Sequence, residues 1–347
     1  MDRGRLVLAG SSLAACALLL EGGFRALEPR LGVDADRIGL LREFVGSRGR
    51  AAEYEARAHT LYTRPRGRPG INSLGFADEE FSRERTLGVA RIACLGSSTT
   101  EGGNDRHEGA YPKLLSRALT ERTGRPFEVM NFGMSGWTSA EILVNYFLVV
   151  QDFSPDVVIL HEGANDVEAR VRPYFRSDYS HYRRPWTPLC YSAPYRLLIQ
   201  ASDLFAWTQL RGAVPFGLEA VVVEAPAGSP TALDPETAGA FRRNVLTVAE
   251  SVRLRGGLSV LATLPYDPVA AERFPLYREG IDEHNALLRS LARDHGFLLV
   301  DLDRAARERP EALRATFLDL VHMSTEGNRF KAETIADALL AGGHLSD

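Results

Sequence analysis

The segment "RIACLGSSTTEGG", residues 91–103, joins an apolar run to a turn rich in serine and threonine. Its apolar run, Ile92–Leu95, ends at Gly96, and two serines and two threonines follow the glycine. A short continuous apolar run of this kind is typical of a strand that is buried on both faces of a sheet. The hydroxyl residues after it either cap a helix or include a nucleophilic serine, and only the rest of the chain separates these interpretations.

The same pattern, a short apolar run followed by a polar segment, recurs along the chain. The further runs lie at 127–133, 156–163, 258–265 and 297–303. Helix signals separate them, such as the capping box "TSAE" at Thr138–Glu141 and the N-cap Asp234 followed by Pro235. Strands that alternate with helices predict a parallel sheet with helices on both faces. Because ligands of such sheets bind beyond the carboxyl ends of the strands, the candidate site should lie there.

Several of these strand ends carry residues with catalytic potential. They are Ser97 and Ser98 after the first strand, Gly133 and Gly136 after the second, Asn165 and Asp166 after the third, and Asp319 and His322 after the fifth. A serine hydroxyl becomes a nucleophile when a histidine takes its proton, and a carboxylate fixes the tautomer of that histidine. Backbone and amide N–H groups stabilise the oxyanion that forms when an ester is attacked. Together these residues predict a serine hydrolase site.

These blocks resemble those of the SGNH (GDSL-type) hydrolases, and the resemblance covers residues 89–341. It implies an α/β fold of the flavodoxin-like, three-layer α/β/α type with a five-stranded parallel sheet. It also implies serine esterase chemistry that needs no metal or cofactor. By position in each block, the resemblance makes Ser98 the nucleophile, Asp319 and His322 the acid and base, and the Ser98 N–H, the Gly136 N–H and the Asn165 amide the oxyanion hole.

The chain departs from the family pattern at one position. The family has Gly-Asp-Ser where this chain has Gly96-Ser97-Ser98. We interpret Ser97 as a turn residue and Thr99 or Thr100 as helix caps. Since the missing aspartate is not the nucleophile, we expect the chemistry to be retained.

Two other polar residues near the predicted strand ends are interpreted as structural. Asp166 is expected to hydrogen-bond backbone groups, and His161 to pack behind the site.

The N-terminus predicts export from the cytoplasm. A basic start, "MDRGR", precedes the uncharged apolar run Leu6–Leu20. We interpret this run as an uncleaved membrane anchor, which would place the rest of the chain in the periplasm or at the cell surface. The segment "LAAC", which ends at Cys16, resembles a lipobox, so a lipoprotein and a cleaved signal peptide are the alternatives.

The predicted domain organisation has three parts. Residues 1–21 form the anchor, 22–88 a tether that packs on the main domain, and 89–347 the hydrolase domain. An insertion at 167–233, rich in tyrosine and arginine, interrupts the strand–helix pattern. It is either a substrate lid or a segment packed on the sheet. The net charge of −4 and the pI of about 6.1 give no basic field for binding nucleic acid.

The predicted function is hydrolysis of an O-acyl ester, on a small ester or an acylated cell-envelope glycan or lipid, through an acyl-serine intermediate. An O-acyltransferase that uses the same residues on a cell-surface polysaccharide is one alternative. A non-catalytic envelope binding protein on the same fold is another. A nucleotide-binding relative is disfavoured because the loop after the first strand is neither G-x-G-x-x-G nor a Walker A sequence.

Overall fold

The central feature of the structure, a computed structural model, is a sheet of five parallel strands. The structure describes residues 3–31, 38, 42, 54–102, 107–172, 174–182, 193–211, 230–343 and 345. The strands of the sheet are β3 Ala90–Gly96, β4 Phe127–Gly133, β5 Val157–His161, β6 Leu258–Ala262 and β7 Leu298–Val300. They lie side by side in the order β4-β3-β5-β6-β7. The five predicted strands and the parallel sheet are confirmed.

A short two-stranded sheet, β1 Glu55–Arg57 and β2 Leu61–Thr63, precedes the large sheet in the chain. The helices are α1 Arg3–Leu31, α2 Ser98–Glu101, α3 Tyr111–Thr123, α4 Ser139–Leu148, α5 Ala164–Arg170, α6 Ala193–Ala201, α7 Asp203–Arg211, α8 Gly239–Leu254, α9 Pro268–Ala271, α10 Pro275–His295, α11 Leu302–Arg307, α12 Pro310–Arg314 and α13 Thr325–Ala341. Two 3₁₀ turns, Val150–Phe153 and Pro235–Ala238, complete the described elements.

Helices cover both faces of the large sheet, as the three-layer fold requires. On one face, Ile92 and Ile159 belong to a buried apolar cluster with side chains of α3 and α13, such as Leu115 and Ile335. On the other face lie α4, α8 and α10. The fold class that the sequence predicted is therefore confirmed.

The strand register brings the candidate site blocks to one edge. Gly96, the last residue of β3, lies opposite Gly133 on one side and His161 on the other. The loops after all three strands therefore begin at the same level. A Cβ at Gly96 would lie 2.4 Å from the carbonyl oxygen of His161, so this position has no room for a side chain.

The chain divides into two compact units. One comprises residues 57–183 and 225–347 and contains the large sheet. The other comprises residues 1–56 and 184–224, and its described helices are α1, α6 and α7. Within this second unit, Glu21 of α1 accepts hydrogen bonds from the Ser202 hydroxyl and the Asp203 N–H at 2.7 Å each, at the start of α7. None of the described helices has both the length and the apolar character needed to cross a membrane.

The helix cap predicted at Thr138 is confirmed, and the caps predicted in the serine-rich turn are wrong. Thr138 caps α4 in a capping box with Glu141, as predicted. The prediction that Thr99 or Thr100 caps a helix is wrong, because α2 already begins at Ser98. Both threonines lie inside that single turn and are buried, and the Thr100 hydroxyl donates to the His161 carbonyl at 3.4 Å.

Candidate active site

The structure brings Ser98, His322 and Asp319 together in one hydrogen-bonded chain. The distance from Ser98 Oγ to His322 Nε2 is 2.7 Å. On the other side of the ring, His322 Nδ1 lies 2.7 Å from Asp319 Oδ2 and 2.9 Å from Oδ1. A base that contacts both the serine and a carboxylate has the geometry needed to activate the hydroxyl.

The loop before α13 holds the acid and base in place. Asp319 Oδ1 accepts the backbone N–H of Val321 at 3.0 Å and that of His322 at 2.8 Å. Burial acts to raise the pKa of Asp319, but the hydrogen bonds from the His322 ring and from these two N–H groups outweigh it. Its pKa therefore lies below its ordinary value, and the carboxylate is ionised near neutral pH.

The three predicted oxyanion donors lie in the loops around this serine, and all are partly exposed. Within the described residues, the backbone N–H groups of Ser98 and Gly136 donate no hydrogen bond to the protein. Gly136 has a φ of +76°, a conformation that suits glycine. The Asn165 amide donates to the Trp137 carbonyl at 2.9 Å, which ties it to the loop that carries Gly136.

Position 97, where the family has an aspartate, faces a buried acid in this chain. The Ser97 side chain lies beside the carboxyl of Glu162, and both residues are buried. Glu162 Oε1 accepts the backbone N–H of Asn165 at 3.1 Å. Burial and the neighbouring Asp166 raise the pKa of Glu162 to about 8. An aspartate at position 97 would add another carboxylate to this pocket, so the smaller neutral serine suits it.

Asp166 and His161 have the structural roles that the sequence predicted. Asp166 accepts the backbone N–H of Ser139 at 2.8 Å, together with the hydroxyls of Ser139 and Tyr179. His161 is fully buried and packs edge-on against the Tyr111 ring at 5.7 Å, and burial lowers its pKa to about 3.

Part of the predicted insertion packs on the sheet unit. The Tyr179 side chain is buried, and His181 Nε2 lies 2.8 Å from the Ala169 carbonyl oxygen. Tyr174, in contrast, is 87% exposed. Packing on the sheet unit is thus observed for Tyr179 and His181. The remaining aromatic and arginine-rich positions, 183–192, lie outside the described residues and leave the lid prediction open.

Sequence reasoning missed a buried lysine that contacts the nucleophile turn. Lys331 of α13 is 1% exposed, and its Nζ donates to the Thr99 carbonyl at 3.0 Å. No carboxylate of the described residues lies within ion-pair distance of it, and burial lowers its pKa to about 7. One signal was available: the chain has 41 basic residues, and Lys113 and Lys331 are its two lysines.

Sequence reasoning also missed a buried ion pair next to Ser98. Arg64 and Glu101 are 2% and 1% exposed, and Arg64 Nε lies 2.5 Å from Glu101 Oε1. The two residues are far apart in sequence, and Arg64 comes from the arginine-rich segment "RPRGRPG" that reads as surface loop. No local pattern marks either residue as buried.

Comparison with known proteins agrees with this geometry. The family model for the GDSL-like lipase/acylhydrolase family matches residues 94–330. The chain belongs to that family. The resemblance stated from the motifs is confirmed, and the protein is a serine hydrolase that acts on ester bonds. No curated protein matches this GDSL-like chain in sequence.

The chain is also similar to several solved structures at low identity. A lipase/acylhydrolase from Enterococcus faecalis is 18% identical, with a TM-score of 0.48 over 73% of this chain and 97% of that one. A catalytic mutant of an acetylxylan esterase from Geobacillus stearothermophilus is 17% identical, with a TM-score of 0.47 over 72% and 94%. An alpha/beta hydrolase enzyme from the metagenome of Lake Arreo, Spain, is 20% identical, with a TM-score of 0.46 over 76% and 100%.

Proposed function

We propose that this GDSL-like protein hydrolyses an O-acyl ester through an acyl-serine intermediate on Ser98. The observation that carries the proposal is the hydrogen-bonded chain from Ser98 Oγ through His322 to Asp319, at 2.7 Å on each side of the ring. His322 Nε2 takes the hydroxyl proton while Oγ forms a bond to the acyl carbon. The Asp319 carboxylate holds the ring in the tautomer whose Nε2 accepts that proton.

Collapse of the tetrahedral intermediate completes the first half of the reaction. His322 returns the proton to the leaving alkoxide, and the alcohol departs. In the second half, water attacks the acyl carbon, His322 takes its proton and then returns it to Ser98 Oγ. The net change is ester plus water to acid plus alcohol, and each half passes through an oxyanion that faces the N–H groups of Ser98, Gly136 and Asn165.

The proposed substrate is an O-acyl group, such as acetyl, on a cell-envelope glycan or lipid. Support comes from the apolar N-terminal segment, where Ala15–Leu20 are all exposed and Leu18 and Leu19 are 73% and 75% exposed. Ala15–Leu20 extend over more than one helical turn, and a helix segment with exposed apolar side chains on all sides favours a lipid environment over one protein face. We therefore propose that α1 holds the enzyme at a membrane.

Labelling with a fluorophosphonate probe tests the nucleophile. We expect the wild-type protein to be labelled and Ser98→Ala not to be. For p-nitrophenyl esters from acetyl to long chain, we expect Ser98→Ala to reduce kcat/KM by at least roughly a thousandfold. Labelling at another residue, or a wild-type protein that is neither labelled nor active on any ester, would contradict the proposal and favour a binding protein.

A transfer assay separates hydrolysis from acyl transfer. The enzyme is incubated with an activated acetyl ester and a polysaccharide acceptor, and acetate is compared with acetylated polysaccharide. Hydrolysis predicts that acetate accounts for nearly all of the ester consumed. Acetylated polysaccharide as the main product would make the acyltransferase the correct assignment.

Fractionation of cells that express the full chain tests the location. We expect the protein in the membrane fraction after a high-salt wash. Cys16→Ser should leave it there if the apolar segment is the anchor, and should release it if Cys16 carries a lipid. A wild-type protein in the soluble cytoplasmic fraction would contradict the proposed location.

A further inference from the structure

We propose that Tyr62 and Arg64, which precede the family match at 94–330, orient the peptide group that supplies the Gly136 N–H to the oxyanion. This inference rests on the proposed function, because it takes Ser98 as the nucleophile. Tyr62 and Arg64 are positioning residues: they act through the Ser135–Gly136 peptide and through Glu101, and they have no assigned contact with substrate.

Tyr62 contacts this peptide group directly. Its hydroxyl donates to the Ser135 carbonyl oxygen at 2.8 Å, and the Tyr62 side chain is 3% exposed. The Ser135 carbonyl and the Gly136 N–H belong to one planar peptide unit and point in opposite directions when the bond is trans. Holding the oxygen therefore fixes the direction of the N–H. A donor on the oxygen also polarises the peptide, which strengthens the N–H as a donor.

The Glu101 carboxylate binds the N–H and the hydroxyl of Ser135, on the other side of that residue from Tyr62. Glu101 Oε2 accepts the backbone N–H of Ser135 at 3.1 Å and also the Ser135 hydroxyl. Glu101 is the last residue of α2, the single turn that begins with Ser98. The serine that attacks and the peptide that stabilises the oxyanion are thus joined through one side chain.

Arg64 compensates the negative charge of the buried Glu101 carboxylate. Its Nη2 lies 2.9 Å from Glu101 Oε2 and 3.3 Å from Ser135 Oγ, in addition to the contact between Nε and Oε1. A buried carboxylate without its cation would carry a large desolvation cost. Removing Arg64 should therefore move Glu101, and Ser135 with it.

The backbone before Tyr62 is held in an unusual conformation. Leu61 has a φ of +68°, which is rare for a residue with a branched apolar side chain. Strained backbone of this kind persists only where surrounding contacts impose it, and it is found mainly at functional sites. The strained backbone at Leu61 therefore supports a functional role for the contact that Tyr62 makes.

The test compares Tyr62→Phe with Tyr146→Phe, a matched control. Tyr146 is also buried, but it lies in α4 and lines a cavity with Arg255 and Asp156 at the opposite edge of the sheet. With p-nitrophenyl acetate, we expect Tyr62→Phe to lower kcat about tenfold with KM within twofold, since one oriented oxyanion donor is worth about a hundredfold to a thousandfold. Tyr146→Phe should leave kcat within twofold of wild type.

Arg64 is tested in the same way against Arg91, which is 1% exposed and pairs with Glu128 at 2.6 Å. Arg64→Met should lower kcat more than Tyr62→Phe does, Arg64→Lys should recover part of the loss, and Arg91→Met should lower the Tm alone. Wild-type kcat in Tyr62→Phe overturns the inference, even if Arg64→Met does not fold. Failure of the proposed function is a separate result: a wild-type protein that is inactive and unlabelled.

Discussion

A paired arginine lies near each end of strand β3, and the two pairs hold different parts of the molecule. At the amino end, Arg91 pairs with Glu128 and also donates to the carbonyls of surrounding loop residues. At the carboxyl end, Arg64 pairs with Glu101, and that pair reaches the turn that begins with Ser98. Both arginines are almost fully buried. Burial of a paired arginine therefore does not identify a functional site. The groups that each pair contacts identify it.

The largest effect that separates the two ends should come from a pair of asparagines. Asn165 lies at the carboxyl edge, and Asn145 lies near the end of α4, toward the amino edge. We expect Asn165→Ala to lower kcat for p-nitrophenyl acetate about a hundredfold or more, because it removes an oxyanion donor. Asn145→Ala should change the Tm but leave kcat within twofold. Equal kcat in the two variants would mean that Asn165 is not a donor in the oxyanion hole.

Lys331 should give a stability effect with a defined dependence on pH. Its pKa is lowered to about 7 from 10.5, so the fold disfavours the charged form. The unfolded chain binds more protons between pH 7 and 10.5, and the contribution of Lys331 to stability rises across that window. We expect the stability of Lys331→Met relative to wild type to fall by about 1–3 kcal/mol from pH 6.5 to 10. Chemical denaturation at both pH values measures this, and a constant difference contradicts it.

The contribution of Glu162 to stability should fall as the pH rises, opposite to that of Lys331 and over a lower pH range. Its pKa is raised to about 8 from 4.5, so the folded state binds more protons between these values and stability falls as the pH rises. We expect Glu162→Gln to gain about 1–3 kcal/mol relative to wild type between pH 5 and 8.5. Burial raises the pKa of Asp166 to about 6. Because Asp166 titrates in both proteins, its contribution to the difference in stability largely cancels. A gain that shrinks with rising pH would mean that Glu162 is ionised in the fold.

The smallest effect is expected at Ser97. Its hydroxyl faces Glu162, so Ser97→Ala should leave kcat within about fivefold of wild type. Ser97→Asp, which restores the family residue, should be less stable than Ser97→Ala above pH 8, where Glu162 is ionised as well. The two variants are compared by kcat at pH 7 and by Tm at pH 8.5. A loss of activity in Ser97→Ala as large as that in Ser98→Ala would reverse the assignment of the nucleophile.

The sequence predicted those features of the fold and the site that depend on short-range patterns of residues. The apolar runs marked the strands, and the rule that ligands bind beyond their carboxyl ends brought Ser98, Gly136 and Asn165 to one edge. The family resemblance assigned Asp319 and His322 as acid and base, and the structure places both in one tight loop.

The groups that the sequence did not reveal are buried ionisable side chains whose partners are distant in the chain. Arg64 and Lys331 carry side chains that normally face water, and nothing nearby in sequence indicates that each ends in a buried contact. Their burial follows from how the loops pack around the nucleophile turn. The caps assigned to Thr99 and Thr100 failed because α2 begins at Ser98, so both threonines lie inside the turn.

The close contact between β4 and α2 limits how this enzyme could be re-engineered. A Cβ at Gly133 would lie 2.3 Å from the backbone nitrogen of Glu101. Gly96, beside it in the sheet, is equally closed to a side chain. Libraries that aim to broaden the range of accepted esters should therefore leave both glycines unchanged. Exposed positions around the site, such as Leu318 beside Asp319, offer more freedom for variation.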